Sequence, residues 1–229
     1  MSVKLGQAPI QNGWSVTIER DRPSNLSSMT SNQPSRAISQ EGQVEAYFAR
    51  MVTAINHINK ASITELLTVL SKQRNAGSTV FIAGNGGSAS TAEHIALDWM
   101  LGTGLSSPPL RVVSLAQSSA SITATGNDFA FEDVFSRQLK SLARKGDLLV
   151  VISASGNSPN MLKLVEVART IGVQVIAMTG FDGGRLAQIA DLSVHVPTAM
   201  GDYGVAEDLH LMVGHIVKEA LIAGENSGN

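Results

Sequence analysis

Four side chains of this 229-residue sequence stand at spacings able to carry proton or metal chemistry. His94 and Asp98 are four apart in a stretch that reads as helix, so both project from one face. That spacing suits a metal or an acid/base pair. Near the C-terminus, AEDLHLMVGH (206–215) contains Glu207, Asp208, His210 and His215. Glu207 and His215 differ by about 80° around a helix axis and can converge on one ligand, whereas His210, about 140° from His215, cannot easily join them. Taken singly, each histidine reads more readily as structural. As a set, His94, Asp98, Glu207 and His215 match the count of a four-ligand zinc site without sulfur. His57, in a polar helical patch, and His195, on a strand, read as structural or solvated.

Two loops add anion-binding character. Gly84-Asn85-Gly86-Gly87-Ser88 follows an apolar run and precedes helix-compatible residues, so backbone amides can crowd an anion at a helix N-terminus. SASGNSPN (153–160) supplies the hydroxyls of Ser153, Ser155 and Ser158 around Ala154, with Pro159 suited to the first position of a helix. A third unusual loop is TGFDGG (179–184). Tight strand-to-helix turns use Gly and Ser for purely structural reasons, but two such loops in register point to a phosphate monoester on a small polar ligand. Gly84, Gly86 and Ala89 approximate a dinucleotide fingerprint, yet the following strand ends in Leu115-Ala116-Gln117 with no acid for a ribose hydroxyl. No Lys-Ser/Thr pair follows the glycines, which excludes a P-loop.

The elements that must position these groups alternate. Apolar runs TVFIA (79–83), RVVSL (111–115), LLVVI (148–152), VQVIAM (173–178) and LSVHV (192–196) read as strands. Between and after them the pattern predicts helices from about 89, at 132–144, 160–171, 184–189 and 205–223. Two amphipathic helices precede the first strand, marked by Val44, Phe48, Met51, Ile55, Ile58 and then Ile63, Leu66, Leu67, Leu70. This alternation predicts an open α/β sandwich, a five-stranded parallel sheet covered on both faces. Residues 1–40, rich in Ser, Asn, Gln and Pro, read as a loose or peripheral extension before one domain at 41–229; Trp14–Ile18 is a candidate edge strand and GENSGN a frayed tail.

Composition narrows the partners. With 17 basic and 19 acidic residues and no basic patch, nonspecific attraction to nucleic acid or anionic lipid is not expected. No apolar run spans a bilayer and no secretory signal is legible, so the expected location is the cytoplasm. The absence of cysteine leaves His, Asp, Glu and Gln as the only metal ligands.

Together AGNGGSASTAEH, TATGNDFAFEDVFSRQL, GDLLVVISASGNSPN, TGFDGG and AEDLHLMVGH resemble the sugar isomerase (SIS) domain family, and within it the sedoheptulose 7-phosphate isomerases, over roughly residues 42–222. The resemblance implies a flavodoxin-like sheet, a homotetramer with active sites at subunit interfaces, zinc in at least some members, and interconversion of sedoheptulose 7-phosphate with D-glycero-D-manno-heptose 7-phosphate through an enediol. By position it implies substrate contacts from Asn85, Gly86, Gly87, Ser88, Asn127, Asp128, Ser153, Ala154, Ser155, Ser158 and Glu207, catalysis by Asp98 and His215, and zinc on His94, Asp98, Glu207 and His215. Three positions depart from the family pattern: Asp98 replaces glutamate, Glu207 replaces glutamine, and Gly102 stands where arginine is expected. A noncatalytic phosphosugar sensor or protein-binding module, or an enzyme acting on another sugar phosphate, is the alternative expectation.

Overall fold

The computed structural model of the chain describes residues 39–103 and 108–226. The candidate strand Trp14–Ile18 and nearly all of the expected extension lie outside the described residues.

Two helices come first. α1 (Gln40–His57) is capped by the Ser39 side chain and α2 (Lys60–Ala76) by that of Asn59. Then follow β1 (Thr79–Gly84), α3 (Gly87–Gly102), β2 (Arg111–Ser114), α4 (Ser119–Asp128), a 3-10 turn (Phe131–Asp133), α5 (Ser136–Leu142) and β3 (Leu148–Ser153). The order ends with α6 (Pro159–Ile171), β4 (Gln174–Thr179), α7 (Gly184–Ile189), β5 (Leu192–His195) and α8 (Tyr203–Asn226).

The five strands pair in parallel, in the order β2-β1-β3-β4-β5. The apolar runs are near-continuous because both faces are covered. Val80, Ile82, Leu148, Val150, Ile152, Ile176 and Met178 face one core, with α1, α2, α3 and α8. Their neighbours Phe81, Ala83, Leu149, Val151, Val175 and Ala177 face the other, with α5, α6 and α7. That alternation is the period-2 geometry of a strand buried twice.

The chain runs from β1 out to β2, then returns past β1 to β3. The order therefore reverses between β1 and β3, the place where open α/β sheets bind ligands. Pairing of Gly84 with Ile152 and of Ser153 with Thr179 brings the carboxyl ends of β1, β3 and β4 level. At the opposite end Asp147 accepts from the amides of Thr79 and Arg144, holding the start of β1 against β3.

Four details differ from the sequence expectation. α4 was not expected; it buries no residue, so it lacks the apolar stripe that betrays a helix, and the Ser118 side chain starts it by accepting from Ser121. The helix expected at 132–144 is a 3-10 turn followed by the short α5. On α1, Val44 and Phe48 are exposed, while Ala54 and Ile58 carry the buried contact. α8 extends to Asn226, into the stretch read as tail.

Candidate active site

A pocket opens at the reversal point, lined by Asn85, Ser88, Ile152, Ser153, Ala154, Ser155, Ser158, Tyr203 and Glu207. Two helices begin on it without side-chain caps: α3 after Gly86 and α6 after Ser158. α1, α2 and α4, away from it, are capped by side chains, whereas the short α5 and α7 also start uncapped. Uncapped first turns leave amide donors and positive potential for an anion. Ser153 Oγ and Ser158 Oγ stand 3.4 Å apart across the pocket wall, and the Ser158 hydroxyl does not cap its own helix. At about 110 Å³ the pocket suits a phosphate group rather than a whole sugar phosphate.

Hydrogen bonds brace these turns from behind. The amides of Asn85 and Asn160 exchange two bonds of 2.8 Å, tying the loop after β1 to the first turn of α6. Asn157 donates to the Ser155 carbonyl and accepts from the Arg185 amide, while Leu186 donates to the Gly156 carbonyl. Within the TGFDGG loop the Gly180 amide donates to the Ala154 carbonyl, so this loop and the start of α7 support the serine loop and do not line the pocket. Gly86 adopts φ 53° as it turns into α3. At Gly87 a Cβ would collide with the Glu207 carboxylate, so only glycine lets that side chain rest against the start of α3. Burial raises the pKa of the Glu207 carboxyl, and the Asp208 charge adds to the shift.

A second group lies further along α3 and α8. α3 and α8 approach closely because a Cβ at Gly214 would strike Ile95, and the buried Trp99 donates its Nε1 to the Gly214 carbonyl at 2.9 Å. This contact brings His94 and Asp98 beside His215. Asp98 Oδ2 lies 3.7 Å from His94 Nε2 and 3.5 Å from His215 Nε2, and the two imidazole nitrogens are 3.4 Å apart.

Zinc with ligand bonds near 2.0–2.1 Å has tetrahedral edges of about 3.4 Å, so these three atoms already outline one face of such a site. They fit the ion, and the geometry leaves the fourth position open. Glu207 is not among the groups whose ligand atoms lie within 4.8 Å of one another. The expected four-residue set is thus divided: three gather at the helix crossing, and the fourth lines the anion pocket. Eight residues along α8 separate Glu207 from His215 by about 12 Å of axial rise, and in this structure the Glu207 side chain turns to the start of α3.

Asn127 and Asp128, joined by a 2.9 Å side-chain bond at the exposed end of α4, do not line the pocket of their own chain. His210 is fully buried; neither ring nitrogen makes a hydrogen bond of good geometry among the described residues, the Thr179 backbone being the polar group that acts on the ring. Burial lowers its pKa to about 4, the Thr179 backbone opposing. His195 bonds through Nδ1 to Thr179 Oγ1 at 3.1 Å, and His57 through Nδ1 to the Thr53 carbonyl. Sequence reasoning passed over Asn160, Tyr203 and Lys218. Asn160 belonged to a motif already singled out; nothing local marked the other two.

Comparison with known proteins agrees with this arrangement. The SIS domain profile matches residues 44–180. The chain is similar to a phosphoheptose isomerase of Rhodospirillum rubrum, 40% identical over 157 residues that cover 68% of this chain and 82% of that one. A phosphoheptose isomerase of Chlorobaculum parvum is 35% identical over 175 residues, 76% of this chain and 83% of the relative. Among solved structures, the phosphoheptose isomerase of Neisseria gonorrhoeae superimposes with a TM-score of 0.73 at 31% identity, covering 81% of this chain and all of that one. The chain belongs to the SIS domain family, and within it to the phosphoheptose isomerases.

Proposed function

We propose that this chain is an aldose-ketose isomerase that interconverts sedoheptulose 7-phosphate and D-glycero-D-manno-heptose 7-phosphate. The separation of the two groups of residues carries the assignment. Ser88 and His94 are six residues apart on α3, about 9 Å of axial rise, and Glu207 and His215 about 12 Å on α8. An extended seven-carbon sugar, with bonds near 1.5 Å, places its terminal phosphate roughly 8–10 Å from the first two carbons. Anchored on the serine loop, it brings those carbons to Asp98 and His215.

The hydroxyls of Ser88, Ser153, Ser155 and Ser158 and the open amides of α3 and α6 hold the phosphate. Asp98 removes the proton from carbon and returns it to the neighbouring carbon, passing through an enediol. His215 moves the accompanying proton between the two oxygens. His94, Asp98 and His215 are the residues that would hold zinc, which when bound polarises the carbonyl and hydroxyl oxygens of the substrate. Ligation and proton transfer by one side chain compete, so Asp98 and His215 cannot serve both ends at one instant.

The active form in this reading is a homotetramer with sites at subunit interfaces, working on a phosphosugar in the cytoplasm. Support comes from the exposed Val44, Phe48 and Val52, four apart along α1, and Leu97 and Leu101 along α3. Asn127 and Asp128, which miss their own pocket, are then free to reach a neighbour's. Among the described residues no helix is long and apolar enough to cross a membrane.

The deciding experiment incubates the protein with sedoheptulose 7-phosphate and follows formation of the aldoheptose phosphate, with Asp98→Ala and His215→Ala as controls. Turnover of the heptose ester, and none of a triose phosphate too short to span the two groups, is the expected result. Tight binding of the heptose ester without turnover would move the protein to the sensor class.

A further inference from the structure

The cluster at the helix crossing contains a fourth charged group. Lys218, three residues beyond His215 on α8, places Nζ 3.1 Å from Asp98 Oδ2, the same oxygen that faces both imidazoles. Its stem arrives across Gly102: a Cβ there would come within 2.9 Å of Lys218 Cγ and 3.3 Å of Cδ. The glycine at 102 therefore clears the path by which a cation reaches Asp98 from the opposite helix. Both partners are partly withdrawn from water, with side chains 32% and 18% exposed.

We propose that Lys218 is a resident competitor for the Asp98 carboxylate and sets the affinity of the His94, Asp98 and His215 cluster for a divalent cation. With the ammonium on Oδ2 the carboxylate is balanced without any ion. A metal entering the triangle must displace Lys218 from that oxygen and then bind beside a like charge a few ångströms away. Both effects oppose binding, and the charge repulsion is screened by salt because the pair is not fully buried. The cluster then fills gradually with free-ion concentration and empties under mild chelation. The inference rests on these three residues being the working centre of the proposed isomerase, but its test reads metal binding alone.

Cobalt and zinc are titrated, against a chromophoric chelator at low salt, into the wild type, Lys218→Met, which keeps the stem, and Lys218→Arg, which keeps the charge. Lys218→Met should bind cobalt and zinc about tenfold more tightly or better, Lys218→Arg within about threefold of wild type, and the advantage of the methionine variant should shrink in high salt. Retained binding of inorganic phosphate at the serine loop verifies that each variant is folded. Affinity in Lys218→Met no higher than wild type overturns the proposal. Equal tightening in both variants overturns it too, since the cause would then be packing, as does the absence of measurable binding in all three proteins. Failure of the wild type to turn over sedoheptulose 7-phosphate would sink the isomerase reading while leaving this titration decisive.

Discussion

The anion pocket and the helix-crossing cluster share two helices but are built by opposite means. In the pocket, each lining serine hydroxyl sits within a few residues of a strand end, and its turn is braced by bonds such as the reciprocal Asn85–Asn160 pair. At the crossing, the reactive groups project from helix faces, partly exposed, and meet only because α3 and α8 pack closely at Gly214. In the proposed function, recognition falls to braced backbone turns with no lysine or arginine lining them. The proposed chemistry falls to side chains whose mutual distances depend on helix packing. A phosphate needs a fixed shell of donors, whereas proton transfer needs groups that can change state and stay open to substrate.

The largest test of that division is kinetic. Asp98→Ala or His215→Ala should lower kcat by about a thousandfold, within the usual range for losing an acid/base group, and leave KM within a factor of about three. A KM that rises as steeply as kcat falls would merge the two regions into one.

Next comes the residue on α8 that faces the core between them. His210 is buried and neutral, its pKa pushed from 6.5 down to about 4 by burial. As pH falls through this window the unfolded chain takes up a proton that the folded one refuses, so stability falls by up to about 3 kcal/mol. His210→Leu, similar in volume and free of orphaned nitrogens, should remove that slope between about pH 6.5 and 4 in thermal unfolding. An unchanged slope would show that His210 is not the group responsible.

Smaller effects belong to the pocket. Ser153→Ala and Ser158→Ala should each raise KM about tenfold, the scale of one hydrogen bond to a charged group, with kcat preserved at saturation. Inhibition constants for inorganic phosphate should weaken in parallel; if kcat falls instead, the serines act in the chemistry. The smallest change is expected at Glu207, whose carboxyl is raised by burial. As pH rises it ionises against the bound phosphate, so Glu207→Gln should tighten phosphate about threefold at pH 8 and by less as the pH is lowered. Equal tightening throughout would mean that the carboxyl is already ionised at the lower pH.

Much of this was legible in the sequence. The strands announced themselves as apolar runs, and both anion loops by their glycines, serines and Pro159. α4 escaped because it buries nothing. Val44 and Phe48 kept the helical rhythm of α1 yet face outward, since periodicity marks a stripe and not what covers it. The eight-residue spacing of Glu207 and His215 gives an angle around α8 but not where each side chain turns, and in the structure Glu207 lines the pocket while His215 sits with His94 and Asp98.

Turns, caps and helix faces follow from neighbours within about two helical turns, so composition and spacing alone dictated the α/β alternation, the uncapped anion loops and the pairing of His94 with Asp98. The meeting of His94 with His215, 121 residues away, was settled only by packing of the folded chain. So were the strand reversal that opens the pocket, the seat of Glu207 on Gly87 and the reach of Lys218 over Gly102. Side chains far apart in sequence have no local term to fix their distance; a glycine that lets two helices touch decides it.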